Sequence, residues 1–114
     1  MAITEKTFRP VQTLTIPLHQ DAPAKRFVGY SGTLSPDGGR AFGGTEAAQS
    51  ADSLASVIAL GVALLEISGD CAAGDDIMSG ANGIGKKATT GAIANGRALD
   101  GCVGGGIIRI KLVP

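Results

Sequence analysis

Apolar and polar residues alternate over short runs along this chain, and glycine, asparagine or aspartate ends most of the runs. Val11–Leu18 alternates leucine and isoleucine with threonine, and Gly106–Leu112 alternates isoleucine and leucine with Arg109 and Lys111. A period of two places alternate side chains on opposite faces of a strand. Each run therefore predicts a strand with one buried face. The strand at Gly106–Leu112 directs its basic side chains outward. Pro17 cannot donate a backbone hydrogen bond, so the first strand lies at a sheet edge or ends there.

Shorter runs predict further strands separated by tight turns. Arg26–Tyr30 predicts a second strand, and Ser31–Gly44 after it predicts a turn-rich loop. Asp75–Met78 and Lys86–Ala88 predict a hairpin around Ser79–Gly83, whose Asn-Gly pair is typical of a type I′ turn. The chain thus favours many short strands over helices.

Two interpretations fit Glu46–Ser68. Glu46–Ala55 is rich in alanine and favours two turns of helix. Ser56–Gly61 and Val62–Ser68 extend that helix or form two strands. Their β-branched residues and Gly61 favour the two strands.

These elements predict a mainly β fold, a small turn-rich β-barrel or β-sandwich with an extended N-terminal arm and at most one short helix. With 114 residues the chain is long enough for one domain. We place the N-terminal arm at residues 1–12 and a single β-rich domain at residues 13–114.

The composition predicts a thin core. The chain has 18 glycines, three phenylalanines, one tyrosine and no tryptophan. A core built from small aliphatic side chains buries less apolar area than one with aromatic rings. We therefore expect the fold to depend on a partner or on self-association for part of its stability.

The charges exclude two classes of partner. Ten basic and ten acidic residues cancel, so no overall field attracts nucleic acid or an anionic membrane. Basic residues are concentrated near both ends and acidic residues in the middle, a pattern that ordinary solvated faces explain better than subunit pairing. Val57–Leu65, the longest apolar run, is too short to span a bilayer. Met1–Lys6 lacks the apolar core of a signal peptide, so we expect synthesis in a cytoplasm.

Gly80–Lys86 matches the GxxxxGK spacing of a phosphate-binding loop. That mechanism needs a serine or threonine after the lysine and a helix that begins there. Lys87 and the sequence after it supply neither, so a glycine hairpin turn is the better interpretation. Nucleotide binding is kept only as a minor alternative.

Other candidate chemistry is equally sparse. Asp70, Asp75 and Asp76 do not have the spacing of a calcium loop, and neighbouring side chains on a strand point to opposite faces. His19 is the only histidine, and no serine near it stands out as a nucleophile. We predict no enzyme activity, no cofactor and no metal site.

The two cysteines, Cys71 and Cys102, lie in turns of small residues. Two cysteines are too few for a disulfide framework. Free thiols are the favoured interpretation, and a bridge between them stays open.

Several segments of the chain resemble, in the same order, the small capsid decoration (cement) proteins of tailed bacteriophages. The segments are Ala41–Gly43, Val57–Gly69, Ala72–Gly83, Lys87–Gly91, Ala94–Asp100 and Gly106–Leu112. In that family an Ala-Gly-Asp segment and an Ala-Asn-Gly turn precede a late Gly-Arg-Ala-Leu segment and an isoleucine-rich strand. The resemblance covers residues 41–113, whereas residues 1–40 depart from the family pattern.

The resemblance implies a structural role. Proteins of this family are small β-rich domains that sit as trimers on the outer face of the phage head. They bind between capsid subunits after expansion and brace the shell against the pressure of the DNA. For this chain the resemblance implies a virion location, the major capsid protein and further copies of itself as partners, and no catalytic residues.

The N-terminal segment is the predicted contact with the capsid or with a neighbouring copy. Segments that order on a partner, and exposed strand edges, both suit such a contact. Apolar and arginine side chains anchor interfaces in general, which favours Phe8 and Arg9 as anchors. The predicted contact residues are Ile3, Phe8, Arg9, Leu14 and Ile16. The alternative function is a tail-tip or fibre-associated structural module.

Overall fold

The structure, a computed structural model, describes the backbone of residues 10–112 and the side chains of residues 13–112. The eight strands in this part of the chain are β1 (Pro10–Pro17), β2 (Phe27–Gly29), β3 (Ala41–Thr45), β4 (Leu54–Ile67), β5 (Asp76–Ser79), β6 (Gly85–Lys87), β7 (Gly96–Ala98) and β8 (Gly106–Leu112). One turn of 3-10 helix, Ala81–Gly83, lies between β5 and β6. The fold is mainly β, as predicted.

The second half of β4 belongs to a closed five-stranded barrel. The strand order is β4, β6, β5, β7 and β8, and β8 returns to β4 along Val62–Ile67. The β4–β6 pair is parallel and the other pairs are antiparallel. Of the two predicted architectures, the barrel is the one that forms.

Mostly aliphatic side chains fill the barrel, and glycines make room for them. The buried residues of this cluster, the barrel core, are Phe27, Ile58, Ala63, Leu65, Ile67, Ile77, Ala98, Ile108, Ile110 and Leu112. A Cβ built on Gly85 would lie 2.6 Å from Leu65 Cδ2, and one on Gly96 would lie 3.0 Å from Ile110 Cδ1. Few strands make a narrow barrel, so inward positions without a side chain let a small aliphatic set close-pack.

The first half of β4 is flanked by a second group of strands. β1 pairs with one edge of β4, β3 pairs with the other, and β2 pairs with β3. Leu18, Ala22, Val28, Ala55 and Val57 form a second buried cluster beneath these strands. The two clusters are therefore joined along one strand.

Three sequence interpretations need correction. β4 is one continuous strand of 14 residues, not two strands or a helix. Gly61, at φ +101°, lets the backbone turn without ending the strand. At this point the pairing partner of β4 changes from β1 to β8. Glu46–Ala55 is not helical, and its last two residues already belong to β4. Ser31–Gly44, predicted as loop, contains most of β3.

Other elements agree with the sequence. β1 ends at Pro17, and β8 buries Ile108, Ile110 and Leu112, whereas Ile107 and Lys111 are exposed. Asn82 and Gly83 both have positive φ, and the Ile84 N–H donates to the Ala81 carbonyl, as in a type I′ turn.

Candidate attachment surface

β1 has a free edge in the part of the chain that the structure describes. It pairs with β4 alone, and Thr13, Thr15 and Pro17 are exposed. A free edge presents backbone N–H and C=O groups that another strand can bind. Natural proteins usually protect such edges with short strands, charged side chains or proline; β1 has no charged side chain, and its two prolines stand at its ends, leaving residues 11–16 between them. This edge can therefore accept an added strand.

Two of the predicted contact residues lie on one face of β1. Leu14 is paired with Val57 and Ile16 with Ala55, so both side chains point to the face of the second buried cluster. Ile16 packs against that cluster, whereas Leu14 at its rim is 37% exposed. The structure thus brings Leu14 and Ile16 together. Ile3, Phe8 and Arg9 lie outside the described residues.

Apolar side chains that the sequence analysis did not select lie beside β1. Leu54, opposite Pro17, is 67% exposed, and Leu60, opposite Gln12, is 39% exposed. The alternation of side chains along a strand could have identified these exposed leucines. This signal was not used, because Leu54–Ile67 was still open to a helical interpretation. We call β1 together with Leu54 and Leu60 the β1 surface.

Several acidic residues from the middle of the sequence form ion pairs with basic residues from its two ends. Glu66, Asp75 and Asp76 from the acidic middle pair with basic residues from the two ends: Arg26, Lys87 and Arg97. These three pairs are contacts within one chain, and none of them needs a second subunit. Pairs of this exposed kind contribute little to stability.

Asp100 and Arg109 form a two-point ion pair on the barrel exterior. The Arg109 Nε and Nη2 atoms donate to the two carboxylate oxygens at 3.1 and 2.9 Å. The Arg109 backbone N–H donates to Asp100 Oδ2 at 3.0 Å. The carboxylate raises the pKa of Arg109 above its ordinary value, because it stabilises the charged guanidinium. The contact fixes the loop after β7 against β8.

The Gly80–Lys86 segment forms the turn of the β5–β6 hairpin. Strand β6 follows the turn where a phosphate-binding loop would begin a helix. Lys86 Nζ lies 2.9 Å from Asp37 Oδ1, so its charge already has an acidic partner. The geometry is that of the hairpin the sequence favoured.

The other candidate residues support local turns. Asp70 Oδ1 accepts the Gly104 N–H and Asp75 Oδ2 accepts the Ala72 N–H. Among the described residues no group of three histidine, cysteine or acidic side chains is placed to hold a metal ion. The His19 backbone N–H donates to the Gly32 carbonyl at 2.9 Å. Cys71 and Cys102 are both free thiols, in agreement with the favoured interpretation.

Among the residues that the structure describes, no helix has the length and apolar character needed to cross a membrane.

No protein-family model matches this chain, and no curated protein sequence matches it significantly. Its fold is similar to that of a solved structure, the head fibre gp8.5 N base in bacteriophage phi29. The superposition has a TM-score of 0.71 and covers 90% of this chain and 93% of that one, at 14% sequence identity. The similarity is therefore one of fold over nearly the full length of both chains.

Proposed function

We propose that this chain is a structural protein of a phage virion that binds the outer surface of the head and stabilises the expanded capsid as a trimer. The observation that carries the proposal is the fold shared with a phage head fibre base over 90% of the chain. The resemblance of residues 41–113 to capsid decoration proteins points to the same location by a separate route. Its partners are the major capsid protein and two further copies of itself.

The β1 surface supports this proposal physically. An eight-residue edge strand with exposed apolar neighbours suits the addition of a strand from a capsid subunit or a neighbouring copy. Backbone hydrogen bonds then supply the affinity, and Leu14 and Ile16 supply apolar contact. Residues 1–9 precede this strand, so Ile3, Phe8 and Arg9 extend the proposed contact along the chain.

The chemistry of the described residues also suits a structural role. The contacts described above give Lys86, Asp70, Asp75 and Asp76 local structural partners. The proposed role is non-enzymatic and uses no cofactor.

A second candidate function is the base of a surface fibre. The solved structure with the shared fold is itself a head fibre base, so the fold supports this function as well as it supports capsid stabilisation. The two candidates differ in where copies sit. A stabilising protein covers many equivalent sites of the shell and raises the resistance of the shell to heat. A fibre base occupies only the points at which fibres attach to the head.

Cosedimentation tests the first candidate. Purified chain is mixed with expanded and unexpanded heads that lack it, and the pellets are quantified. We expect binding to expanded heads at least tenfold above binding to unexpanded heads, together with a higher temperature of DNA release. Binding without any gain in heat resistance, with copies imaged only beneath fibres, supports the fibre base. No binding to either form refutes both.

A further inference from the structure

Cys71 and Cys102 face each other across a short antiparallel pairing. Each backbone N–H donates to the other residue's carbonyl at 3.0 Å. In such a hydrogen-bonded pair the Cα atoms lie about 5.5 Å apart, within the range that a disulfide spans. The two Sγ atoms are 3.5 Å apart. Small side-chain rotations are therefore enough to bring them to bonding distance.

The backbone on one side of the pair is held in place by two hydrogen bonds. The Gly105 N–H donates to the Gly69 carbonyl at 2.9 Å, and the Gly104 N–H donates to Asp70 Oδ1 at 2.7 Å. Both cysteines are partly exposed, so a small oxidant can reach them. The pair is thus preorganised and accessible, two properties that structural buried cysteines do not combine.

We propose that Cys71 and Cys102 are a dithiol modification site that closes to an intramolecular disulfide in reaction with a small-molecule disulfide such as oxidised glutathione. One protein thiolate attacks the oxidant, forms a mixed disulfide and releases one molecule of reduced glutathione. The second protein thiol attacks that mixed disulfide and releases the other. Two protein thiols are oxidised, one oxidant disulfide is reduced, and the two protons end on the two glutathione thiols.

The bond would clamp one end of the barrel. Cys71 follows β4 and Cys102 precedes β8, so the closed loop contains β5, β6 and β7. Closing a loop of about 30 residues removes conformational entropy from the unfolded chain. The clamp therefore ties the three short strands of the barrel to the two long ones.

Formation of the disulfide does not depend on the proposed function, but the stage at which it forms rests on that function. A protein on a released virion passes from a reducing cytoplasm to an oxidising medium. Under the proposed function the clamp would close after release, so that assembly takes place with the open form. Failure of the bond to form would leave the virion role untouched.

The experiment uses the full chain, incubated in glutathione buffers of graded ratio and analysed by intact mass under denaturing, non-reducing conditions. We expect a monomer lighter by two hydrogens and without titratable thiols. We also expect its melting temperature to rise by about 10 °C and to return on addition of dithiothreitol. C71S and C102S should each gain one glutathione and show no such rise. Disulfide-linked dimers, stable double glutathionylation, or thiols that stay free in oxidised buffer would each overturn the proposal.

Discussion

Gly43 of β3 lies directly against the backbone of Ile58 in β4. A Cβ built on Gly43 would stand 2.2 Å from the Ile58 carbonyl oxygen and 2.9 Å from its carbonyl carbon. Gly44, the next residue, faces the opposite side, and the nearest atoms to its Cβ would lie at 3.9 Å. The two neighbouring glycines therefore have different roles. The close approach of β3 and β4 requires the absence of a side chain at Gly43, whereas Gly44 has room for a methyl group.

Replacing Gly43 with alanine should destabilise the fold by about 3 kcal/mol, because backbone atoms must move apart to admit the methyl group. Gly44→Ala is the matched control and should change stability by less than about 1 kcal/mol. Urea denaturation of both variants, with free energies extrapolated to water, measures the difference. Equal stabilities would show that β3 can shift without cost.

Asn95 joins the two halves of the molecule through its side-chain amide. Its Oδ1 accepts the Ala41 N–H at 3.0 Å, and its Nδ2 donates to the Gly39 carbonyl at 2.9 Å. The residue is only 5% exposed. Asn95→Ala leaves these two backbone groups without partners and should cost about 2 kcal/mol.

Asn95→Asp should cost more than Asn95→Ala at pH 7, because a carboxylate then faces the Gly39 carbonyl. Burial and that carbonyl raise the pKa of the new carboxyl above its unfolded value of about 3.9. The added cost is therefore present above the folded pKa and disappears as the pH falls below about 4. Denaturation of both variants at pH 7 and near pH 3 measures it. A constant difference between them would contradict this account.

The raised pKa of the Cys71 thiol predicts that the fold loses stability at high pH. Burial and the adjacent Cys102 raise its pKa from 9.0 to about 11. Between these values the unfolded chain has lost the thiol proton while the folded chain keeps it, so stability falls as the pH rises from 9 to 11. Thermal melts of the reduced chain over this range should show a steeper decline than melts of Cys71→Ser. Identical slopes would contradict the assignment.

The raised Cys71 pKa also bears on the oxidation rate. The thiolate is the reactive form. Disulfide formation should therefore quicken between pH 7 and pH 9, as more thiolate becomes available, and a rate independent of pH would contradict this.

The proposed contact predicts a loss of head binding without a loss of folding. Leu14→Ser removes a rim side chain from the β1 surface and should weaken binding to expanded heads about tenfold. Val103→Ser, an exposed apolar side chain before β8 and outside the β1 surface, is the control and should bind as the unaltered chain does. Equal binding of the two variants would remove Leu14 from the contact.

Deleting residues 2–9 tests Ile3, Phe8 and Arg9 together. Because β1 begins at Pro10, the deletion leaves every described strand in the chain. We expect an unchanged circular dichroism spectrum and loss of cosedimentation with expanded heads. Undiminished binding would confine the contact to β1 itself.

The sequence predicted those parts of the fold in which local pattern and final structure agree. The alternation in Gly106–Leu112 predicted both the strand and its buried face, because its period of two is uninterrupted. The Asn-Gly pair in Ser79–Gly83 predicted its turn, because positive φ at both central positions is a local requirement. Leu14 and Ile16 were correctly placed on one face for the same reason.

The sequence failed where distant parts of the chain decide the structure. β3 reads Ala-Phe-Gly-Gly-Thr, which is typical of a loop, and it becomes a strand because Gly43 permits close approach to β4. Gly61 looked like the end of a strand, but the change of partner from β1 to β8 carries the strand through it. The pairing of Cys71 with Cys102 depends on barrel closure, a contact between residues far apart in sequence.

The shared strand β4 also determines how the molecule bears mechanical load. β1 and β8 both run antiparallel to β4, and their hydrogen bonds lie across the strand direction. A pull along β1 therefore loads the β1–β4 bonds in shear, all together, where a pull across the edge would open them one at a time. Because β4 continues without interruption into the barrel, tension entering at the edge strand is transferred through a single backbone to the closed barrel.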